Sequence, residues 1–424
     1  MSDVMSHKCP FCGATLEFDA STQMVKCQYC DNEFDPKSLQ KNDGDLSEQI
    51  ELASNGGEEW SENELYGLSE YQCQSCGGDL YTDSDTSATI CPYCGNAVIL
   101  KGRLSGTVKP DRVIPFKKTK EQALEGLSEY FGSKWFVHKK FLQFNEVEEI
   151  KGLYVPFWVY DAELKADVIY DCVDERTWRT GNTEYTERKY YEVRRSGDIA
   201  FDHVPVDGSS KMADDLMESI EPFDYKESEE FTTSYLSGYV ANKYDVDQDQ
   251  ARPRAKKRMA DGTADAFKST VHHDEIHVQS SDIVATSSNV DYVMYPVWLL
   301  NTQWEDKKFT FAMNGQTGKM VGNLPADMLK LGLATAGIFA GITVLISFLL
   351  ILFIGELDIG ALIGGFIFGG IAAAAFYAYF KGQLRTVDFQ HGAAHYYRPD
   401  SMNIEVKEDT FLYKRVTSRH VGND

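Results

Sequence analysis

A chain of 424 residues leaves room for two or three domains. Its formal net charge of −23 and pI near 4.8 argue against a general phosphate-binding surface, because nucleic-acid binding leans on Lys and Arg. Met1 to Cys12 contains no apolar run, so no cleaved signal peptide is expected to export the front half.

Eight of the nine cysteines form one module written twice. Cys9-Pro10-Phe11-Cys12-Gly13 is followed after fourteen residues by Cys27-Gln28-Tyr29-Cys30. Cys73-Gln74-Ser75-Cys76-Gly77 is followed after the same gap by Cys91-Pro92-Tyr93-Cys94-Gly95. Each Cys-x-x-Cys turn offers two thiolates, and two turns complete a tetrahedral sulfur shell, which suits zinc ahead of iron or disulfides. Two zinc ribbons are therefore predicted, at residues 7–36 and 71–100. Their ligands would be Cys9, Cys12, Cys27 and Cys30, and Cys73, Cys76, Cys91 and Cys94, holding two structural Zn ions. Four protein sulfurs leave no open position for water, so these metals should hold folds and catalyse nothing, and loss of one shell should unfold only its own ribbon. Around the first shell Lys8 and Lys26 face Glu17, Asp19, Asp31, Glu33 and Asp35, while the second has Asp79, Asp83 and Asp85. Such surfaces point to protein partners ahead of nucleic acid.

Residues 37–70 are rich in Asp, Glu, Ser, Asn and Gly and read as an acidic flexible linker, with Trp60, Leu65 and Leu68 able to form one docking turn. Residues 103–328 read as a duplicated α+β cytosolic domain. A helix is expected over Thr119 to Phe131, with Thr119 and Gln122 as a capping box. Leu164, Ala166, Val168, Tyr170 and Cys172 alternate as the buried face of a strand, making Cys172 a core residue. Thr180-Gly181-Asn182 should close a hairpin, and Asn314-Gly315 a second, tight one. Val155-Pro156-Phe157-Trp158 recurs as Tyr295-Pro296-Val297-Trp298, a strand start with a core tryptophan. His272 to His277 lacks the spacing of a zinc-protease helix and reads as strand. The basic run Arg252 to Arg258 reads as a solvated helix start, with anionic lipid as its next candidate ligand.

Two apolar runs, Leu331 to Ile354 and Ile359 to Phe380, form a predicted transmembrane helical hairpin over 331–380. Lys319, Lys330, Lys381 and Arg385 flank it, and Glu356 and Asp358 lie in its turn, so both termini should be cytoplasmic. Gly337-x-x-x-Gly341, Gly360-x-x-x-Gly364 and Gly365-x-x-x-Gly369 would let the helices approach. The runs hold no ionisable residue, which suits an anchor rather than a channel. Residues 381–424 form a mixed-charge cytosolic tail in which Ile404 to Val406 and Thr410 to Tyr413 either add a strand or stay mobile.

The cysteine motifs, the two Pro-x-Trp segments and Phe311-Ala-Met-Asn-Gly-Gln-Thr-Gly-Lys-Met-Val-Gly together resemble a family of bacterial membrane proteins with TFIIB-type zinc ribbons. The resemblance implies a membrane-anchored partner of envelope-stress systems that works beside SPFH-domain and phage-shock-A-like proteins, with no catalytic residues. The fold expected is an α+β multidomain membrane protein: two N-terminal zinc ribbons, a duplicated, mostly antiparallel β domain with helices, and a C-terminal two-helix transmembrane hairpin. The function expected is a non-enzymatic scaffold recruiting protein partners to the cytoplasmic face of the bilayer. The alternatives are a membrane-tethered nucleic-acid-binding regulator and a cryptic hydrolase. Partner identity and oligomeric state stay open.

Overall fold

The computed structural model describes residues 16–19, 24–27, 33–34, 50–83, 90–138, 141, 150–304, 307–354, 359–384, 387 and 392–420. It is a mixed α+β protein with two C-terminal apolar helices. At the N-terminus β1 (Leu16–Asp19) pairs with β2 (Met24–Cys27), and β2 with β3 (Glu33–Phe34), as a small antiparallel sheet.

From Ile50 onward the chain is built on one large sheet. Its first elements are α1 (Glu62–Tyr66), β4 (Leu68–Cys73), β5 (Asp79–Asp83), β6 (Val98–Arg103) and β7 (Arg112–Val113). Next come α2 (Lys120–Gly132), β8 (Lys151–Thr180), β9 (Thr183–Asp207) and α3 (Asp214–Ser219). Then follow β10 (Glu229–Glu230), β11 (Val240–Asn242), α4 (Gln248–Lys268), β12 (Glu275–Trp304), β13 (Lys307–Asn314) and β14 (Met320–Gly322). The sheet runs β10-β7-β12-β8-β11-β5-β4-β6, with β9 on β8 and β13 on β12.

Leu164, Ala166, Val168, Tyr170 and Cys172 of β8 are all buried, as their alternation requires. They share a core with Ala251, Ala255, Met259 and Phe267 of α4. Small residues on this face let α4 lie close: a Cβ on Gly262 would stand 3.0 Å from the Phe201 ring. The helix predicted at Thr119 forms with its capping box, and Gly181, at φ 59, turns β8 into β9.

The long strands β8 and β12 run antiparallel with Val155 opposite Tyr295, matching residues of the two Pro-x-Trp segments. Around this pair the same order of elements appears twice: short strand, capped helix, long strand, return strand. Each short strand lies parallel to the other half's long strand, β7 on β12 at Val293 and Met294, β11 on β8 at Leu153 and Tyr154. Gly208 N–H donates to Pro156 O and Gly315 N–H to Pro296 O, both at 2.8 Å. Trp158 and Trp298 are buried, so neither segment presents an aromatic binding patch.

The hairpin expected at Asn314-Gly315 forms between β13 and β14, closed by Asn314 N–H to Lys319 O at 2.9 Å, but with a four-residue loop, Gly315 to Gly318, in place of a two-residue turn. Gly315 is held by Pro296 and accepts from the N–H groups of Lys117 and Lys118, so the chain reverses later, through Gly318 at φ +87, before entering β14.

Two other expectations are corrected by packing, and the alternative left open for the tail is decided. The flexible linker of 37–70 is not free from Ile50 on: Ile50 and Leu52 are buried, the Trp60 and Phe231 rings meet edge-on at 5.9 Å, and Leu68 opens β4. Spaced apolar residues in a polar stretch are enough to dock it. The 381–424 tail ends in β15 (Asn403–His420), which pairs with β9 along its whole length because β9 offers a free edge. The basic run 252–258 turns two of its arginines, Arg254 and Arg258, inward. Arg254 pairs with Asp207 at 2.9 Å, Asp214 at 2.7 Å and Glu218 at 2.6 Å, and buried Arg258 pairs with Glu221 at 2.7 Å. Those guanidinium groups are committed to the core, which removes them from any lipid-binding surface.

The C-terminal apolar helices are α5 (Met328–Ile354) and α6 (Ile359–Gln383), both of length and hydropathy fit to cross a membrane. They pack where a Cβ on Gly365 would fall 2.0 Å from Ser347 Oγ and one on Gly369 2.2 Å from Thr343 Oγ1. Gly337 and Gly341 have nothing within 4 Å of such a Cβ, so α5 presents Thr343 and Ser347 to its partner instead of the expected Gly-x-x-x-Gly. At the foot, Leu331 of α5 and Phe376, Tyr377 and Phe380 of α6 join a core cluster with Ala123, Leu127 and Phe131 of α2.

Candidate metal centre

Two knuckles of the same construction face each other. In the first, Gly77 N–H donates to Cys73 O at 2.9 Å and Cys73 N–H to Gly78 O at 2.9 Å; in the second, Gly95 N–H donates to Cys91 O at 3.0 Å and Cys91 N–H to Asn96 O at 2.7 Å. Gly77 and Gly95 sit at φ +70 and +74, a left-handed conformation that explains the glycine after each Cys-x-x-Cys.

The sulfurs of Cys73, Cys76, Cys91 and Cys94 all lie within 4.8 Å of one another. Cys73 and Cys94 are 3.5 Å apart, and Cys76 and Cys91 3.6 Å. Tetrahedral zinc with Zn–S bonds of about 2.3 Å places its sulfurs about 3.8 Å apart, so these four thiols fit one such ion. Among the described residues this is a single four-cysteine cluster able to coordinate one metal. Burial pushes the Cys91 and Cys76 thiols up. Cys94 is lowered to about 6: burial works against its thiolate, but Asn96, through backbone and side chain, and the neighbouring thiols outweigh it.

Of the other predicted shell, Cys27 ends β2, while Cys9, Cys12 and Cys30 lie outside the described residues. Cys172 is buried in the sheet core, and burial raises its thiol to about 11, so it has no part in the metal centre.

The stretch predicted as the second ribbon is part of the sheet domain rather than a separate bead. Strand β5 pairs with β11, which pairs with β8. Tyr93, inside the second knuckle, packs over Gly78 and against the core cluster of Leu80, Ile114 and Leu153. Asn301 donates to Pro92 O at 2.5 Å, and Lys151 to Ile90 O at 3.4 Å. Three residues before Cys73 in β4, buried Glu70 accepts from Lys101 at 2.9 Å, Lys243 at 3.4 Å and Ser105 N–H at 3.2 Å. Burial alone would raise its pKa; the two lysines and the Ser105 N–H more than offset this and lower it.

Cysteine spacing could not reveal these supports. Asn96 donates to Cys94 Sγ at 3.3 Å and to Ser75 Oγ at 3.0 Å, tying the knuckles together. Its place after Cys94-Gly95 was the available signal. Such outer bonds orient ligand sulfurs and tune their basicity.

No protein-family model matches the chain, and no solved structure matches it. The uncharacterized protein YdjG of Bacillus subtilis (strain 168) is 34% identical over 339 residues, covering 80% of this chain and 95% of that protein. At that identity and coverage, the chain belongs to the same family as YdjG.

Proposed function

We propose that this protein is a non-enzymatic scaffold, anchored by a two-helix transmembrane hairpin, that recruits protein partners to the cytoplasmic face of a membrane. The observation carrying this reading is the outer face of α5 and α6. Leu333, Val344, Phe348, Leu352, Phe366 and Ile371 are all exposed there. An apolar surface of that extent is unfavourable in water and suited to hydrocarbon. Lysines outside the hairpin and carboxylates in its turn support cytoplasmic termini.

In this reading two zinc ions serve as structural clamps, one on the Cys73, Cys76, Cys91 and Cys94 shell and one on Cys9, Cys12, Cys27 and Cys30, whose spacing repeats it. The excess of carboxylates around both ribbons supports a protein partner. The resemblance of the motifs to TFIIB-type zinc-ribbon membrane proteins makes SPFH-domain or phage-shock-A-like proteins of envelope stress the partners to test.

Mass spectrometry of proteins retained by the detergent-extracted chain provides the test. Recovery of the chain in the membrane fraction with a partner that is lost when residues 1–36, the predicted first ribbon, are deleted supports the scaffold. A chain that stays in the soluble fraction, or one that retains no protein and binds DNA with steep salt dependence, overturns it; the latter favours the tethered regulator.

A further inference from the structure

The hairpin does not leave the sheet domain through a free linker. Just after α2, the segment Ser133 to His138 is strapped to Pro325–Asp327, the residues that lead into α5. Asp327 N–H donates to Phe136 O at 2.7 Å, His138 N–H to Pro325 O at 3.2 Å, and Val137 bridges Ala326. Phe136 is buried, its ring 5.0 Å from that of Phe380 and 6.1 Å from that of Phe376 in α6. Between these fixed points Trp135 points outward, 81% exposed, whereas Trp158 and Trp298 are 1% and 5% exposed.

The position of this indole decides what covers it. Its ring lies 6.2 Å from that of Phe380, one residue before Lys381, the first charge after the apolar stretch of α6. Lys381 Nζ stands 5.4 Å over the Tyr377 ring, and Lys134, beside Trp135, stands 5.4 Å over Tyr130. Tyr379 and Leu329 at the same foot are 61% and 74% exposed. Aromatic rings with cationic neighbours, at the depth where an apolar helix meets its first charge, match the headgroup level of a bilayer. Tryptophan suits that level because its ring is apolar and its N–H needs a polar partner.

We propose that Trp135 is a third membrane contact, seated in the lipid headgroup layer beside the hairpin. Two adjacent spans alone leave the hairpin and the domain strapped to it free to tilt together. A rigidly strapped indole at the same depth adds a contact off the hairpin axis and holds the sheet domain at one angle to the bilayer. This inference rests on the membrane reading of α5 and α6.

The test uses the full chain in nanodiscs whose lipids are brominated either high or deep on the acyl chain. Fluorescence of the wild type minus that of Trp135→Phe isolates Trp135, and Phe366→Trp, on the exposed face of α6, reports on the hairpin. The expected result is a blue-shifted Trp135 signal that loses most of its intensity to the high bromines and little to aqueous iodide, while the introduced Trp at position 366 is quenched by the deep bromines. If position 366 is quenched by lipid but Trp135 is quenched by iodide, the domain stands clear of the bilayer and the inference falls while the hairpin reading stands. Shielding of Trp135 from both quenchers would show another protein surface covering it, and would also overturn the proposal. If position 366 is not quenched by lipid, the membrane reading itself fails and the inference with it.

Discussion

Trp158 and Trp298 each fasten the other half of the sheet domain. The Trp158 indole donates to Val246 O at 2.9 Å, one residue before the Asp247 cap of α4. Trp298 donates to Lys118 O at 2.9 Å, one residue before the Thr119 cap of α2. Phe116 and Tyr244 repeat the pattern, meeting Trp298 and Trp158 edge-on at 5.1 and 5.4 Å. Each Pro-x-Trp segment thus positions the helix belonging to its counterpart. Phenylalanine at either position removes a part-buried hydrogen bond and leaves part of a buried indole's space unfilled, so Trp158→Phe and Trp298→Phe should each cost about 1 to 3 kcal/mol. Urea unfolding of the detergent-solubilised chain measures this. Trp178→Phe, near the β8–β9 turn and stacked on Tyr185, should shift it by about 0.5 kcal/mol or less.

Metal removal should reach beyond the ribbon. Because β5 pairs with β11, β11 with β8, and Tyr93 packs against the core, an emptied shell loosens the part of the sheet it is joined to. Cys91→Ser should lower the zinc content by one ion per chain and reduce amide protection over Asp79–Asp83 and Val240–Asn242. Cys172→Ser should change neither. Elemental analysis and hydrogen exchange read the two effects; unchanged protection in β11 would show that the ribbon folds independently after all.

Packing of the hairpin predicts an asymmetry among glycines. A Cβ on Gly365 would stand 2.0 Å from Ser347 Oγ and 2.6 Å from Thr343 O, and the backbone oxygen cannot move away without bending α5. Gly365→Ala should therefore destabilise the detergent-solubilised protein by about 1 to 3 kcal/mol. Gly337→Ala meets nothing within 4 Å and should be neutral or mildly stabilising through helix propensity. Thermal unfolding of the two variants, compared in one detergent, checks the order.

Asp207 should impose a pH dependence on stability. Burial pushes its carboxyl up to about 7, while Arg254 pulls the other way and Asp214 adds to the rise. Arg254 is shared with Glu218 and Asp214, so its charge is divided among three carboxylates. With the folded value raised, the native chain holds a proton that the unfolded chain releases between about pH 4 and pH 7. Stability from this site is complete below the unfolded value and declines as pH rises toward 7, by up to about 1.4 kcal/mol per pH unit. Asp207→Asn should remove that slope. Urea midpoints of wild type and variant should diverge over this window and run parallel above about pH 7.5.

The sequence by itself determined the features that depend on local spacing. Two Cys-x-x-Cys-Gly turns at a repeated gap specify a four-sulfur shell, because the knuckle is made by its own backbone and by Gly77 and Gly95. Apolar runs without charge specify the long helices, and alternation from Leu164 to Cys172 specifies a strand with one buried face. The Thr119 and Gln122 cap was legible for the same reason, since its two bonds join residues three apart.

Tertiary structure decided everything that depends on distant partners. Arg254 and Arg258 read as part of a surface charge run because Asp207, Glu218 and Glu221, which hold them inside, lie tens of residues earlier in the chain. Ile50, Leu52 and Trp60 are too sparse to signal a folded segment, and only the core of the sheet domain shows where they fit. Tail residues became β15 because β9 offered an unpaired edge, a property of the assembled sheet rather than of residues 403–420. Both Pro-x-Trp segments were visible as a repeat, but a repeat carries no information about which helix each tryptophan serves. Folding brought Val155 opposite Tyr295 and carried each indole across to the other half, and that exchange follows from long-range strand pairing that local sequence preferences do not encode.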